Sequence, residues 1–133
     1  TCALPISTGA GNTGIGTLAL FNNTTGSNNS SLGYAALQNN TIGNSNIAIG
    51  GYALYNNTTG NYNTAIGYNT SSGNFSGSTI LGYGATATAN DQFVVGSAAQ
   101  KAGTVATETI TPNRTWLVRV NGANYKIPMV LIP

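Results

Sequence analysis

The sequence predicts an all-β chain built as a β-solenoid of short rungs, and three observations point there. A glycine preceded by an aliphatic residue recurs at Gly16, Gly33, Gly50, Gly67, Gly82 and Gly96, at an interval that is constant over the first four and then shortens. Around each glycine, small or polar residues alternate with Ile, Leu or Val for three to five residues. That is too short for a helix, which needs about ten or more residues at a 3.6 period. Finally, half of the 133 residues are Asn, Thr, Ser or Gly, the residues that make corners. Repetition at a fixed short period marks a stacked architecture and outranks any single motif.

The copies read NTGIGTLALFNNTTG at 12–26, NSSLGYAALQNNTIG at 29–43, NIAIGGYALYNNTTG at 46–60 and NTAIGYNTSSG at 63–73. Shorter ones follow, STILGYGATA at 78–87 and QFVVGSA at 92–98. The six glycines are expected at sharp corners, because glycine takes positive φ without a Cβ clash. The Asn pairs at 22 and 23, 39 and 40, and 56 and 57 are expected in turns, where Asn tolerates the same backbone region. Each rung then has two short strands, one before the corner and one around Ala-Leu. They enclose Ile15, Leu32, Ile49, Ile66, Leu81 and Val95 before the glycine, with Leu20, Leu37 and Leu54 after it. Six rungs stacked at about 4.8 Å make a rod roughly 30 Å long. So thin a column buries too little apolar area to stand alone, which predicts association with other chains.

The motif carried by residues 46–60 and 63–73 resembles the head repeat of trimeric autotransporter adhesins, the YadA-like head, and the similar repeats of phage tail fibres. The resemblance spans residues 3–98. It implies a left-handed parallel β-roll in a parallel homotrimer, with Ile15, Leu32, Ile49, Ile66, Leu81, Val95, Leu20, Leu37 and Leu54 facing a common core. The last copies are more compact than the first because residues drop out of the NNTT turn. The family's heptad neck, membrane-anchor barrel and autoproteolytic chaperone domain have no counterpart in these residues, so the chain is not expected to be a complete autotransporter.

Both ends differ from the repeat. Ala3-Leu4 precedes Ala19-Leu20 by nearly one repeat length, which predicts that residue 1 falls inside a rung and that residues 1–98 form the repeat region. With no initiator Met or leader, the chain is expected to be a fragment, and Cys2 to be an inert thiol of that rung. Residues 99–113 read as a polar linker. Residues 114–133 read as a β-hairpin and an apolar tail: TWLVRV, then Asn121-Gly122, then ANYKIP. Asn-Gly suits the type I′ turn that matches strand twist, and a two-residue loop pairs Val120 with Ala123, Val118 with Tyr125 and Trp116 with Ile127. That face, Trp116, Val118, Val120, Tyr125 and Ile127, is expected to cap the last rung. The tail PMVLIP is expected to be buried against a neighbouring chain.

Composition narrows function. The charged residues are Asp91, Lys101, Glu108, Arg114, Arg119 and Lys126, and there is no His. Two carboxylates without an imidazole leave little for general acid or base catalysis, so no catalytic residue is expected. One Cys and two separated acids make no metal site, and no cofactor is expected. Four cations are too few to grip a phosphate backbone, so no nucleic-acid partner is expected. No apolar run is long enough for a membrane-spanning helix, and no membrane insertion is expected. Gly14-Ile15-Gly16…Ala19 and Gly82-Tyr83-Gly84…Ala87 match a loose dinucleotide fingerprint but lack its strand-to-helix setting, and read as corners.

Tyr34, Tyr52, Tyr68 and Tyr83 follow corner glycines and are expected to stack along one edge, with Phe21 and Tyr55 along another. They form a packed ladder or a glycan-facing platform. Asn-x-Ser/Thr occurs at Asn22, Asn23, Asn28, Asn29, Asn39, Asn56, Asn57, Asn69, Asn74 and Asn113, as this composition alone produces. A rod displaying repeated polar turns is expected to be a structural, adhesive fibre segment, extracellular or on a virion surface, with a receptor or polysaccharide as partner. The alternative is a protomer of a self-assembling extracellular filament.

Overall fold

The computed structural model describes residues 8–96 and, in the C-terminal region, the backbone of residues 115–120 and 123–128. The chain divides into two compact units, residues 1–102 and 103–133. Cys2, Ala3-Leu4, the linker 99–113, the Asn121-Gly122 turn and residues 129–133 lie outside the described residues.

The first unit holds six three-residue strands: β1 (Thr13–Ile15), β2 (Ser30–Leu32), β3 (Ile47–Ile49), β4 (Thr64–Ile66), β5 (Thr79–Leu81) and β6 (Phe93–Val95). They form one parallel sheet in chain order. The register never slips: Gly14 pairs with Ser31, Ser31 with Ala48, Ala48 with Ala65, Ala65 with Ile80, and Ile80 with Val94. Successive strands in parallel pairing, with one turn of chain between each, make a β-solenoid. No helix occurs among the described residues; the first loose dinucleotide motif runs off the end of β1 into the corner at Gly16, and the second falls at the corner after β5.

The corner glycines are required by stacking as much as by dihedral angle. Gly16, Gly33, Gly50 and Gly67 have φ between 126° and 140°. A Cβ on Gly33 would lie 2.6 Å from the carbonyl of Gly50 in the next rung, closer than any side chain tolerates. Gly26, Gly43 and Gly60, which close the NTTG-type turns, form a second such column.

The Ala-Leu segment is not a second strand. Leu18, Ala35 and Tyr52 have φ of 62°, 55° and 57°, and Leu20, Leu37 and Leu54 have 55°, 52° and 52°. Left-handed residues alternating with ordinary ones coil the chain through consecutive tight turns, closed by Ala19 N–H to Gly16 O, Phe21 N–H to Leu18 O and Asn23 N–H to Leu20 O. The rungs still bond to one another here, through Leu20 N–H to Ala36 O at 3.0 Å and Leu37 N–H to Ala53 O at 2.9 Å. Each rung therefore has one strand. The Asn pairs expected to take positive φ do not; in this segment those positions fall on Leu, Ala and Tyr, while Asn28, Asn69 and Asn74, outside the pairs, do take it. A left-handed non-glycine costs about 1–2 kcal/mol, and full burial of a Leu side chain returns about 1.5–3 kcal/mol, so the leucines hold this backbone by what they bury.

The solenoid interior also departs from the sequence expectation. Side chains alternate along a strand, and it is the middle residue that points inward: Ser31, Ala48, Ala65 and Ile80 are buried, whereas Ile15, Leu32, Ile49 and Ile66 flank it and are exposed. The chain's own core is the inner strand column together with Leu20, Leu37, Leu54 and the alanines at 19, 36, 53, 85 and 87. Leu20, Leu37 and Leu54 are sealed inside one chain and cannot form a core between chains. Volume is exchanged along the axis. Ala48 faces a rung carrying Leu54, while beyond the last leucine the strand supplies Ile80 and the turn supplies Ala85 and Ala87.

Buried amides form ladders. Asn40 Nδ2 donates to Asn23 Oδ1 at 2.8 Å and to Gly43 O at 2.9 Å. Asn57 Nδ2 repeats both contacts, to Asn40 Oδ1 and Gly60 O, and Ser72 Oγ closes the column on Asn57 Oδ1 at 2.9 Å. A second ladder runs through Asn12, Asn29, Asn46 and Asn63, where each Oδ1 accepts the backbone N–H of its successor, ending at Ser78 N–H. Hence only one Asn of each pair is a turn residue in the ordinary sense. Asn22 and Asn56 are exposed, while Asn23, Asn40 and Asn57 are core. The repeat first shortens just before Ser72, which takes the ladder place of an Asn.

In the second unit, β7 (Thr115–Val120) and β8 (Ala123–Pro128) pair antiparallel with Val120 opposite Ala123, Val118 opposite Tyr125 and Trp116 opposite Ile127, as the two-residue loop predicts.

Candidate functional site

Two surfaces of the solenoid stand out, and both follow from the repeat. The first is the outer face of the sheet. With the middle residue of each strand turned inward, the flanking residues form two outward columns: Thr13, Ser30, Ile47, Thr64, Thr79 and Phe93, and then Ile15, Leu32, Ile49, Ile66, Leu81 and Val95. Apart from half-buried Leu81, the second column is 40–63% exposed. Single exposed aliphatics are ordinary on a protein surface, whereas here they form a continuous line over the length of the sheet. A shallow apolar groove opens on it over Ile15, Leu32, Ile47 and Ile49. Neither column carries a charge.

The second surface is the tyrosine column. Because the rungs stack in register, Tyr34, Tyr52, Tyr68 and Tyr83 come together although a full rung of chain separates each from the next. Ring centroids are 5.3 Å apart for Tyr34 and Tyr52, and 5.7 Å apart for Tyr52 and Tyr68, both edge to face. Tyr68 and Tyr83 are stacked at 5.7 Å. These are packing contacts of the kind aromatic pairs prefer. Tyr34, Tyr68 and Tyr83 remain about half exposed. Desolvation among its neighbours, reinforced by the Tyr34 phenol, pushes the Tyr52 phenol above its ordinary value. Tyr55 is not on a separate edge: its ring packs edge to face on Tyr52 at 5.5 Å and belongs to the same strip. Phe21 is exposed.

The Asn-x-Ser/Thr positions split by burial. Asn23, Asn29 and Asn57 donate their amides to ladder or carbonyl partners inside the solenoid and present no acceptor to a modifying enzyme. Asn22, Asn28, Asn56, Asn69 and Asn74 are exposed and Asn39 is half-buried, while Asn113 lies outside the described residues. The sequence motif alone treats all of these alike. The signals that separate them are the period-two alternation of the strand and the position of the second Asn, three residues before a turn glycine.

Among the described residues no group of three or more His, Cys, Asp or Glu comes together, and no helix is long and apolar enough to cross a membrane. The side chains of Trp116, Val118, Val120, Tyr125 and Ile127 are outside the described set, so the hairpin contributes a backbone register and no site geometry. No family model matches the chain, and neither does any curated protein or solved structure.

Proposed function

We propose that the chain is a non-enzymatic structural and adhesive fibre protein, a parallel homotrimer of left-handed β-rolls of the YadA-like or phage tail-fibre kind. In this proposal it acts outside the cell or on a virion, and the C-terminal hairpin caps the rod. The observation that carries this reading is the uncharged apolar column Ile15, Leu32, Ile49, Ile66, Leu81 and Val95 on the outer sheet face. Three copies around a common axis would cover that column, whereas a lone chain leaves it to water. The partners are then its own copies, together with a receptor or polysaccharide met by the polar turns and the tyrosine strip, where repetition turns weak contacts into avidity.

Size exclusion with light scattering is expected to give about three times 13.5 kDa or a larger multiple. A well-folded monomer overturns the proposal. Ile49→Asp, on the outer face, is expected to shift the assembly toward single chains, while Thr59→Asp, on an exposed turn, leaves it intact. Electron micrographs separate the fibre from the filament alternative: discrete rods of fixed length belong to the former, continuous fibrils to the latter.

A further inference from the structure

We propose that the tyrosine column is an oxidative cross-linking seam, in which a one-electron oxidant joins the tyrosines of neighbouring rungs into dityrosine and ties the solenoid covalently along its axis. Such a seam needs neither the adhesive role nor the trimer.

Contact comes first. Tyr34 to Tyr52, Tyr52 to Tyr68 and Tyr68 to Tyr83 have ring centroids 5.3 Å, 5.7 Å and 5.7 Å apart, so every ring of the column touches a phenol one rung away. Access comes second. Tyr34, Tyr68 and Tyr83 are 49–57% exposed, which lets an oxidant reach the hydroxyls without unfolding. Competition comes third. Residues 8–96 contain no Cys, Met or Trp; Cys2, Trp116 and Met129 all lie outside them, so within these residues an oxidised phenol has no more readily oxidised side chain to repair it.

The chemistry balances. A peroxidase using hydrogen peroxide takes one electron from each of two phenols, and each phenolic proton leaves to solvent. The two phenoxyl radicals form one carbon–carbon bond between ring positions ortho to oxygen. Each ortho hydrogen then shifts to its own oxygen, restoring both phenols. The chain loses two hydrogens per link, and the peroxide is reduced to two waters. Partners held in contact react at a high effective concentration, so coupling within the chain outruns coupling between chains. Two side chains one rung apart in sequence then close a covalent loop, and the unfolded chain loses freedom as it does with a disulfide.

Tyr62 supplies an internal control. It is the most exposed tyrosine of the solenoid at 71%, and among the described residues its ring has no aromatic neighbour. Exposure alone would make it the favoured target; the seam excludes it.

The folded chain is treated with a haem peroxidase and hydrogen peroxide, then denatured, separated by size and analysed by mass spectrometry. The expected product migrates as a single chain, shows dityrosine fluorescence, is lighter by two hydrogens per link, and maps to Tyr34–Tyr52, Tyr52–Tyr68 or Tyr68–Tyr83. Its melting temperature rises by several degrees. The double variant Tyr52→Phe, Tyr68→Phe keeps ring packing but removes the two phenols that Tyr34, Tyr55 and Tyr83 touch, and is expected to cut the single-chain product by roughly tenfold or more. Tyr62→Phe leaves the yield unchanged. Links found only between chains, Tyr62 coupling as readily as the column, or an undiminished yield in the double variant would each overturn the proposal. Unchanged circular dichroism in the variants shows that lost coupling is not lost fold.

Discussion

Asn39 and Asn40 are adjacent, chemically identical and equivalent to any turn rule, yet the structure gives them opposite weight. Asn40 is fully buried; its amide donates to Asn23 Oδ1 at 2.8 Å and Gly43 O at 2.9 Å, and its Oδ1 accepts from Asn57 Nδ2 at 3.0 Å. Asn39 is half-buried at the surface, and its Oδ1 accepts from Asn22 Nδ2 at 2.9 Å. Replacing each by Asp changes almost no volume. Asn39→Asp keeps an acceptor where an acceptor is needed and is expected to alter stability by under about 0.5 kcal/mol. Asn40→Asp removes two donors, each worth about 1 kcal/mol net, turns an oxygen toward the Gly43 and Asn23 oxygens, and buries a charge without a counterion. Breaking a buried pair so that one charge is left uncompensated costs about 3–5 kcal/mol, and the same range is expected here at neutral pH, a large share of a typical total near 5–15 kcal/mol. Burial raises the folded-state value of the new carboxyl above its unfolded one, so the penalty is absent below the unfolded value and sets in as pH rises through it. The deficit therefore shrinks as pH falls from the raised folded-state value toward about 4, and below that only the loss of the two donors remains. Urea denaturation followed by circular dichroism, at one protomer concentration, measures both variants. Equal midpoints for Asn39→Asp and Asn40→Asp, or a deficit in Asn40→Asp that grows on acidification, would refute the ladder as a source of stability.

Three other outcomes follow from the same geometry. Gly33→Ala places a methyl 2.6 Å from the Gly50 carbonyl at a φ of 140°, and is expected to cost more than about 3 kcal/mol or to abolish the folded state, as judged by thermal melting. Ser31→Ala removes a buried hydroxyl that has no hydrogen-bond partner among the described residues and is expected to raise stability by about 1 kcal/mol in the same urea titration. Residues 8–96 hold one carboxylate, Asp91, and no Lys, Arg or His, so the melting temperature of the solenoid is expected to vary little between about pH 5 and 9. Because the Tyr52 phenol is raised, the stability it contributes is complete below its unfolded value, near 10, and is lost as pH climbs beyond that; a melting temperature that rises above pH 10 would contradict the packing of the column.

The architecture is legible because it is written six times over. The glycine spacing reveals the rungs, and a two-residue Asn-Gly loop fixes the hairpin register without coordinates. What a single rung hides is which way its side chains point. Ile15 and its counterparts read as the inside because they are the largest apolar residues of the strand. A three-residue strand buries only its middle residue, and here that residue is Ser31, Ala48 or Ala65, small because Leu37 and Leu54 fill the space from the opposite wall. The backbone of the Ala-Leu segment is hidden for a different reason. Local preference places positive φ on Asn and Gly, and only the burial of the leucine side chain makes Leu20, Leu37 and Leu54 occupy it. The tyrosine column is legible for four members; Tyr55 escapes because its reach back to Tyr52 depends on the coiled turn between them.

The unbroken register of the first rungs makes the length of this molecule an editable quantity. Removing residues 30–46 would join Asn29 to Ile47 and bring each ladder Asn, each corner glycine and each inward residue onto the counterpart its neighbour already expected. A deletion longer or shorter by a single residue would misalign all of them at once. A rung contacts only the rungs before and after it, so neither the core nor the sheet needs redesign when one is gained or lost. The uniform rungs thus behave as a ruler with whole-rung graduations, and the shorter rungs after Gly67 keep register where the turn has been rebuilt around the lost residues, as at Ser72.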